Sequence, residues 1–145
     1  EKKKYSVNTK ADGLDDILGS ILLTPTRIYV KTVQSCIEAG FNIKGIVHIT
    51  GGGFYENIPR ILPSHTAVEI NKDSFPVPPV FNLIRREGEI EDREMFTTFN
   101  MGIGMMLFID KAQSRELMEH LIKEKNTPYL IGEVRDYRDV KVRLL

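Results

Sequence analysis

This 145-residue chain has no net charge, a single cysteine and no long apolar run, and each shortage removes a class of protein. Lys plus Arg and Asp plus Glu both number 20, so the formal charges cancel. A protein that neutralises duplex phosphates carries a basic excess or a basic face. The only basic cluster is residues 2–4, read as a solvated tail, so no nucleic-acid partner is expected. Cys36 has no second cysteine to pair with, which excludes a disulfide-stapled secreted domain. The longest apolar stretch, residues 103–109, is far short of the roughly 20 residues of a membrane span. No charged-then-apolar leader is read at the start, so a cytoplasmic location without a membrane partner is expected. Internal repeats and low-complexity tracts are also lacking.

The length suits about one domain with a real core. Hydrophobic residues at 41% and charged residues at 28% are ordinary globular values. The sequence opens on Glu1 rather than Met, which suggests a processed product or a piece of a longer chain.

Residues 1–20 are polar and read as a linker. Thr24-Pro25 resembles a helix start, with Thr as N-cap and Pro at the first helical position. Tyr29, Val33, Cys36 and Ile37 then share one helical face, and Gly40 stops the helix. Cys36 on that face reads as a small core residue. Residues 44–50 read as a strand, 54–62 as a short helix and 67–70 as a weak strand. Prolines 76, 78 and 79 make a loop. Helices follow at 80–87, closed by Gly88, and at 91–96. Residues 103–109 suit a buried strand. Asp110 with Gln113 resembles a capping box ahead of a helix buried through Leu117, Met118, Leu121 and Ile122. Two strands, 129–134 and 140–144, end the chain. Alternating elements with short connections predict one layered α/β (α+β) domain, a mixed sheet flanked by helices.

Three segments carry chemistry. Gly51, Gly52 and Gly53 lie between a strand and a helix, where positive φ and outward N–H groups make an anion nest. The same glycines serve equally as a tight turn. Neither a P-loop nor G-x-G-x-x-G is present. His48 and Thr50 share a strand face beside the nest, so His48 is a candidate acid, base or phosphate donor. The alternative is a hydrogen-bonded structural histidine. His65 and His120 read as surface residues. Glu56 and Arg60 are spaced for an i, i+4 ion pair, while Asn57 or Arg60 are candidates to face a ligand. Finally, Thr98 and Asn100 precede Gly102 and Gly104, two glycines expected on one strand face. The acidic residues from 87 to 94 read as solvated. No metal-ligand spacing and no Ser–His–Asp arrangement is found.

Residues 22–31 (LLTPTRIYVK), 48–53 (HITGGG), 56–62 (ENIPRIL), 94–104 (EMFTTFNMGIG) and 131–134 (IGEV) resemble the C-terminal half of the aminoimidazole ribonucleotide synthetase (phosphoribosylformylglycinamidine cyclo-ligase) family. The strings occur in family order. Where the family usually has Cys, this chain has Met101, so no thiol is required there. The resemblance implies a domain over 21–145, with a family N-terminal half that carries most of the ATP site and builds a homodimer. It implies cyclisation of formylglycinamidine ribonucleotide to aminoimidazole ribonucleotide in purine biosynthesis, using ATP and Mg²⁺. ATP phosphorylates the formamide oxygen, the amidine nitrogen attacks that carbon, and phosphate leaves. Under this reading Gly51, Gly52 and Gly53 bind phosphate. His48, Thr50, Asn57 and Arg60 line a cleft between the halves, with Thr98 and Asn100 beside it. The alternative is a non-catalytic phosphate- or nucleotide-binding, regulatory module of the same fold.

Overall fold

A computed structural model describes residues 5–136 and 140–145. In the polar opening stretch, Ala11, Leu14 and Leu18 are buried against Leu83, with Ile21 and Val80 beside them. The segment read as a linker is therefore docked on a later helix, and its own helix α1 spans Leu18–Leu22. Helix α2 (Val30–Glu38) begins later than Thr24-Pro25 suggested. The Thr24 hydroxyl donates to the Ser20 carbonyl (3.3 Å), so it closes α1 instead of capping α2. Cys36 is fully buried, whereas Ile37 is exposed, so the buried face of α2 is narrower than the spacing implied.

Strand β1 (Ile43–His48) leads to α3 (Gly53–Asn57), which tightens into a 3₁₀ turn over Ile58–Arg60 around Pro59. That break leaves Glu56 and Arg60 without the expected ion pair among the described residues; Glu56 folds back over Gly52. Strand β2 (Thr66–Ile70) is followed by α4 (Pro79–Gly88) and α5 (Asp92–Thr98). The left-handed residue that closes α4 is Glu89 (φ 53°), one position beyond Gly88. The acidic stretch is not wholly solvated, because Asp92 takes Lys72 (2.9 Å) and Arg85 (2.7 Å) together. Strand β3 (Met105–Ile109), helix α6 (Ser114–Lys123), β4 (Gly132–Asp136) and β5 (Val142–Leu144) complete the order. The capping box does not form. Gln113 accepts the Asn42 N–H (3.2 Å) and Asp110 lies 3.4 Å from Lys44, so both side chains brace the start of β1.

The strands divide into two sheets. β1 and β3 form an antiparallel ribbon. The mixed sheet is three-stranded, with β2 central, β4 antiparallel to it and β5 parallel. Alternation along the ribbon splits its side chains between two cores. Val47 and Met106 join Val68, Ile70 and Val142 of the mixed sheet, with Phe54 and Phe96 of α3 and α5. Ile43, Leu107 and Ile109 face Cys36, Leu117 and Leu121 of α2 and α6. Phe54 is fully buried, edge-on to Phe96 at 5.1 Å and stacked with Phe75 at 6.3 Å. Burial of such a ring stabilises by about 2–3 kcal/mol. His65 is exposed, as its loop position implied. His120 is half-buried between α2 and α6, with Nε2 2.8 Å from the Ser35 hydroxyl and its ring against Phe41, so it is not a surface residue.

Candidate functional site

The ribbon register brings two of the predicted segments together. His48 at the end of β1 pairs with Met105 at the start of β3. The next N–H, of Ile49, donates to the Gly104 carbonyl (2.9 Å). The start of the glycine segment is therefore tied to Gly104, just ahead of β3. A second contact fixes the other side of the glycine loop. Gly53 has φ 52°, and a Cβ there would collide with the Phe96 carbonyl oxygen in the last turn of α5. Only glycine permits both the conformation and the approach. Thr98 ends that helix, so residues 97–100 lie next to the loop.

The alternation of β1 continues past its end. Val47 and Ile49 are buried, while His48, Thr50 and Gly51 are exposed. Nothing lies within 4 Å of where a Gly51 Cβ would stand. The Gly53 N–H donates to the Thr50 carbonyl and the Glu56 N–H to the Gly52 carbonyl. The N–H groups of Gly51, Gly52, Phe54 and Tyr55 have no protein partner among the described residues. Gly52 is left-handed (φ 94°), and the Glu56 carboxylate folds over it. An anion approaching Gly52 displaces that carboxylate; one approaching Gly51 does not.

Asn57 is buried, and its Nδ2 donates to the carbonyls of Gly53 (2.7 Å), Gly51 (3.2 Å) and Thr50 (3.4 Å). It holds the loop in shape from beneath. Arg60 is exposed on the 3₁₀ turn and has no carboxylate partner among the described residues. Asn100 accepts the Gly102 N–H at Oδ1 (3.0 Å), which shapes a turn with two left-handed residues, Met101 (φ 51°) and Gly102 (φ 97°). Gly102 and Gly104 thus precede β3 rather than share a strand face. Gly102 lies against Pro78, and Gly104 makes room for the Tyr29 ring.

Tyr29, expected on the buried face of the helix with Cys36, instead precedes α2 and belongs to the surroundings of His48. Its ring is edge-on to His48, centroids 6.0 Å apart, and the Arg27 guanidinium lies 5.8 Å from the Tyr29 centroid. Arg27 donates to Asn126 Oδ1 (2.7 Å), which also accepts from the Thr32 hydroxyl (3.1 Å). The signal in the sequence was the polar-aromatic Arg27–Tyr29 pair, obscured because Thr24-Pro25 resembles a helix start. Among the described residues no group of three or more His, Cys, Asp or Glu could hold a metal ion. No helix there is long and apolar enough to cross a membrane.

Residues 3–144 match the family described as AIR synthase related protein, C-terminal domain. The chain is 49% identical over 129 residues to a phosphoribosylformylglycinamidine cyclo-ligase of Lachnospira eligens, covering 89% of this chain and 38% of the relative. It is 48% identical over 134 residues to the protein of that name from Caldanaerobacter subterraneus subsp. tengcongensis, covering 92% and 39%. Among solved structures, E. coli HypE superposes with a TM-score of 0.60 at 17% identity, covering 88% of this chain and 40% of that one. The last likeness concerns the fold alone. The chain spans under two-fifths of the length of the curated relatives it matches.

Proposed function

Because the chain belongs to the family of AIR synthase related C-terminal domains, we propose that it supplies one half of the site in which formylglycinamidine ribonucleotide is cyclised to aminoimidazole ribonucleotide. The observation that carries this reading is the 43–49% identity to cyclo-ligases across nine-tenths of the chain. Such a reaction depends on positioning and charge stabilisation more than on a protein nucleophile. That accords with a site built from backbone N–H groups, an imidazole and hydroxyls.

ATP, when bound, supplies the phosphoryl group that turns the formamide oxygen into a leaving group. The open N–H group at Gly51, and that of Gly52 once the Glu56 carboxylate is displaced, suit a phosphate oxygen, of substrate or of the departing phosphate. His48 is placed to hold or move a proton beside them, with Thr50 as a hydroxyl partner and Tyr29 setting the ring's position. Asn57 maintains the loop, Thr98 and Asn100 flank it, and Arg60 supplies positive charge from the edge. Among the described residues no three His, Cys, Asp or Glu side chains gather as a cage for Mg²⁺, so in this reading phosphate oxygens and the rest of the cyclo-ligase hold the metal. The remaining ATP contacts, and a homodimer, belong in this reading to the part of the cyclo-ligase that the relatives have beyond this match. A cytoplasmic location accompanies it.

The test is a chimera in which this chain replaces the matching region of the Caldanaerobacter cyclo-ligase. It is expected to form aminoimidazole ribonucleotide, and His48→Asn to lower kcat by about 10²-fold or more. A folded chimera without activity that still binds the ribonucleotide calorimetrically supports a binding module instead. Unchanged turnover in His48→Asn removes the histidine from the chemistry.

A further inference from the structure

We infer that the cavity beside β3 is a binding site for a small organic anion, with the charged group on Arg27 and a single-ring or apolar body inside. The cavity holds about 250 Å³ between β3, α6 and residues 126–132. That is just below the range of roughly 300–1,000 Å³ usual for ligand pockets, so it suits a one-ring molecule. Its lining is mainly apolar, with Leu107, Leu117 and Leu121 in the wall beside Thr32, Ser114 and Asn126. Arg27 is the one charged side chain that lines it, among the described residues.

The way Arg27 is held points to a ligand. Asn126 fixes one of its N–H groups and Thr32 fixes Asn126. The Tyr29 ring lies beside the guanidinium, and that ring is seated over Gly104. All of these partners are neutral. Arg85, Arg115 and Arg143 each hold a carboxylate, whereas Arg27 holds none among the described residues. A guanidinium has five donors, so most of its fork stays available in a fixed position. A guanidinium held by neutral partners alone in the lining of a mainly apolar cavity suits a carboxylate or phosphate attached to a compact body. The inference does not rest on the cyclisation reading, and the site is distinct from the N–H groups of residues 51–55.

The test is a ¹H–¹⁵N titration of the 145-residue chain with phenyl phosphate, benzoate and inorganic phosphate in parallel. Phenyl phosphate or benzoate is expected to shift the amides of Leu107, Leu121 and Thr127 saturably; which of the two binds tighter identifies the anionic group. Inorganic phosphate, having no body to bury, is expected to leave those amides in place. Arg27→Gln is expected to weaken binding about tenfold or more, with Arg27→Lys between it and the parent. Spectra unchanged outside residues 24–33 and 126–132 establish that the variants fold. Equal affinity in a folded Arg27→Gln chain overturns the inference, as does the lack of saturable shifts at millimolar probe. Shifts centred on residues 51–55 instead overturn it by assigning anion binding to the glycine loop.

Discussion

Replacing Gly53 with alanine tests the packing that creates the site. Two penalties add at this position. Its φ of 52° is left-handed, which costs an L-residue about 1–2 kcal/mol. The new Cβ also runs into the Phe96 carbonyl oxygen and lies 2.8 Å from that of Thr97. Both obstacles are backbone in a helix end, so no side chain can swing aside. Helix α3 must back away from α5, loosening Phe54 against Phe96, an overpacking cost of about 1–3 kcal/mol. The sum is about 2–5 kcal/mol. For a domain of this size that lowers Tm by roughly 6–20 °C. Gly52→Ala has the left-handed penalty but meets only the flexible Glu56 side chain, so about 1–2 kcal/mol is expected. Gly51→Ala meets nothing within 4 Å and stays within about 0.5 kcal/mol. Urea denaturation of the three variants gives the order 53, 52, 51. A Gly53→Ala protein as stable as the parent, or a reversal of the order, refutes the α3–α5 contact as described.

Asn57→Asp replaces the Nδ2 donor by an oxygen facing three carbonyls. We expect a loss of about 3 kcal/mol at neutral pH, and a smaller loss at pH 4, where a protonated carboxyl regains one donor; urea midpoints at the two pH values check this. The Cys36 thiol is pushed up by burial, and secondarily by the negative charge of Glu124. Iodoacetamide at pH 8 is therefore expected to leave the folded chain unmodified and to label it on denaturation, as mass spectrometry reads directly. Asp92 is held below the usual carboxylate range, first by its hydrogen bond from Lys72 and then by Arg85, against the opposing effect of burial. Its contribution is thus present above about pH 3.9, the unfolded carboxylate value, and is lost as pH falls through the lowered folded value. With the Asp92 side chain 45% exposed, the contribution stays under about 1 kcal/mol. Asp92→Asn should flatten the acid limb of the stability curve by that amount; an unaltered limb dissociates the ion pairs from acid sensitivity.

Much of this organisation was legible in the residues, and what was not has identifiable causes. Strand periodicity and glycine breaks located β1, the turn at 51–53 and α3, because those signals are local. The sheet partners were not legible, since pairing β1 with β3 joins residues about sixty positions apart in the chain. Polarity misled in the stretch read as a linker, 1–20, where Ala11, Leu14 and Leu18 are too widely spaced to read as an apolar segment yet bury together on α4. The Asp110–Gln113 spacing suited a capping box, but a tertiary competitor, the start of β1, took both side chains. At the site, His48 and Thr50 were legible from strand alternation. Arg27, Tyr29 and Asn126 were not, because their meeting depends on a non-helical stretch before α2 and on the end of α6. Asn57 looked ligand-facing from its polarity, and only the folded loop shows three carbonyls beneath it.

The glycine loop is held from two directions, by the Ile49–Gly104 ladder hydrogen bond and by the end of α5 under Gly53. One anchor alone would leave a hinge about which residues 49–53 could swing. Two non-collinear anchors, with Asn57 bracing from below, make the loop a fixed wall. A ligand that needs enclosure there must be covered by something that moves toward this wall. Closure is then a property of whatever lies opposite, and its rate should be indifferent to substitutions that merely stiffen residues 51–53.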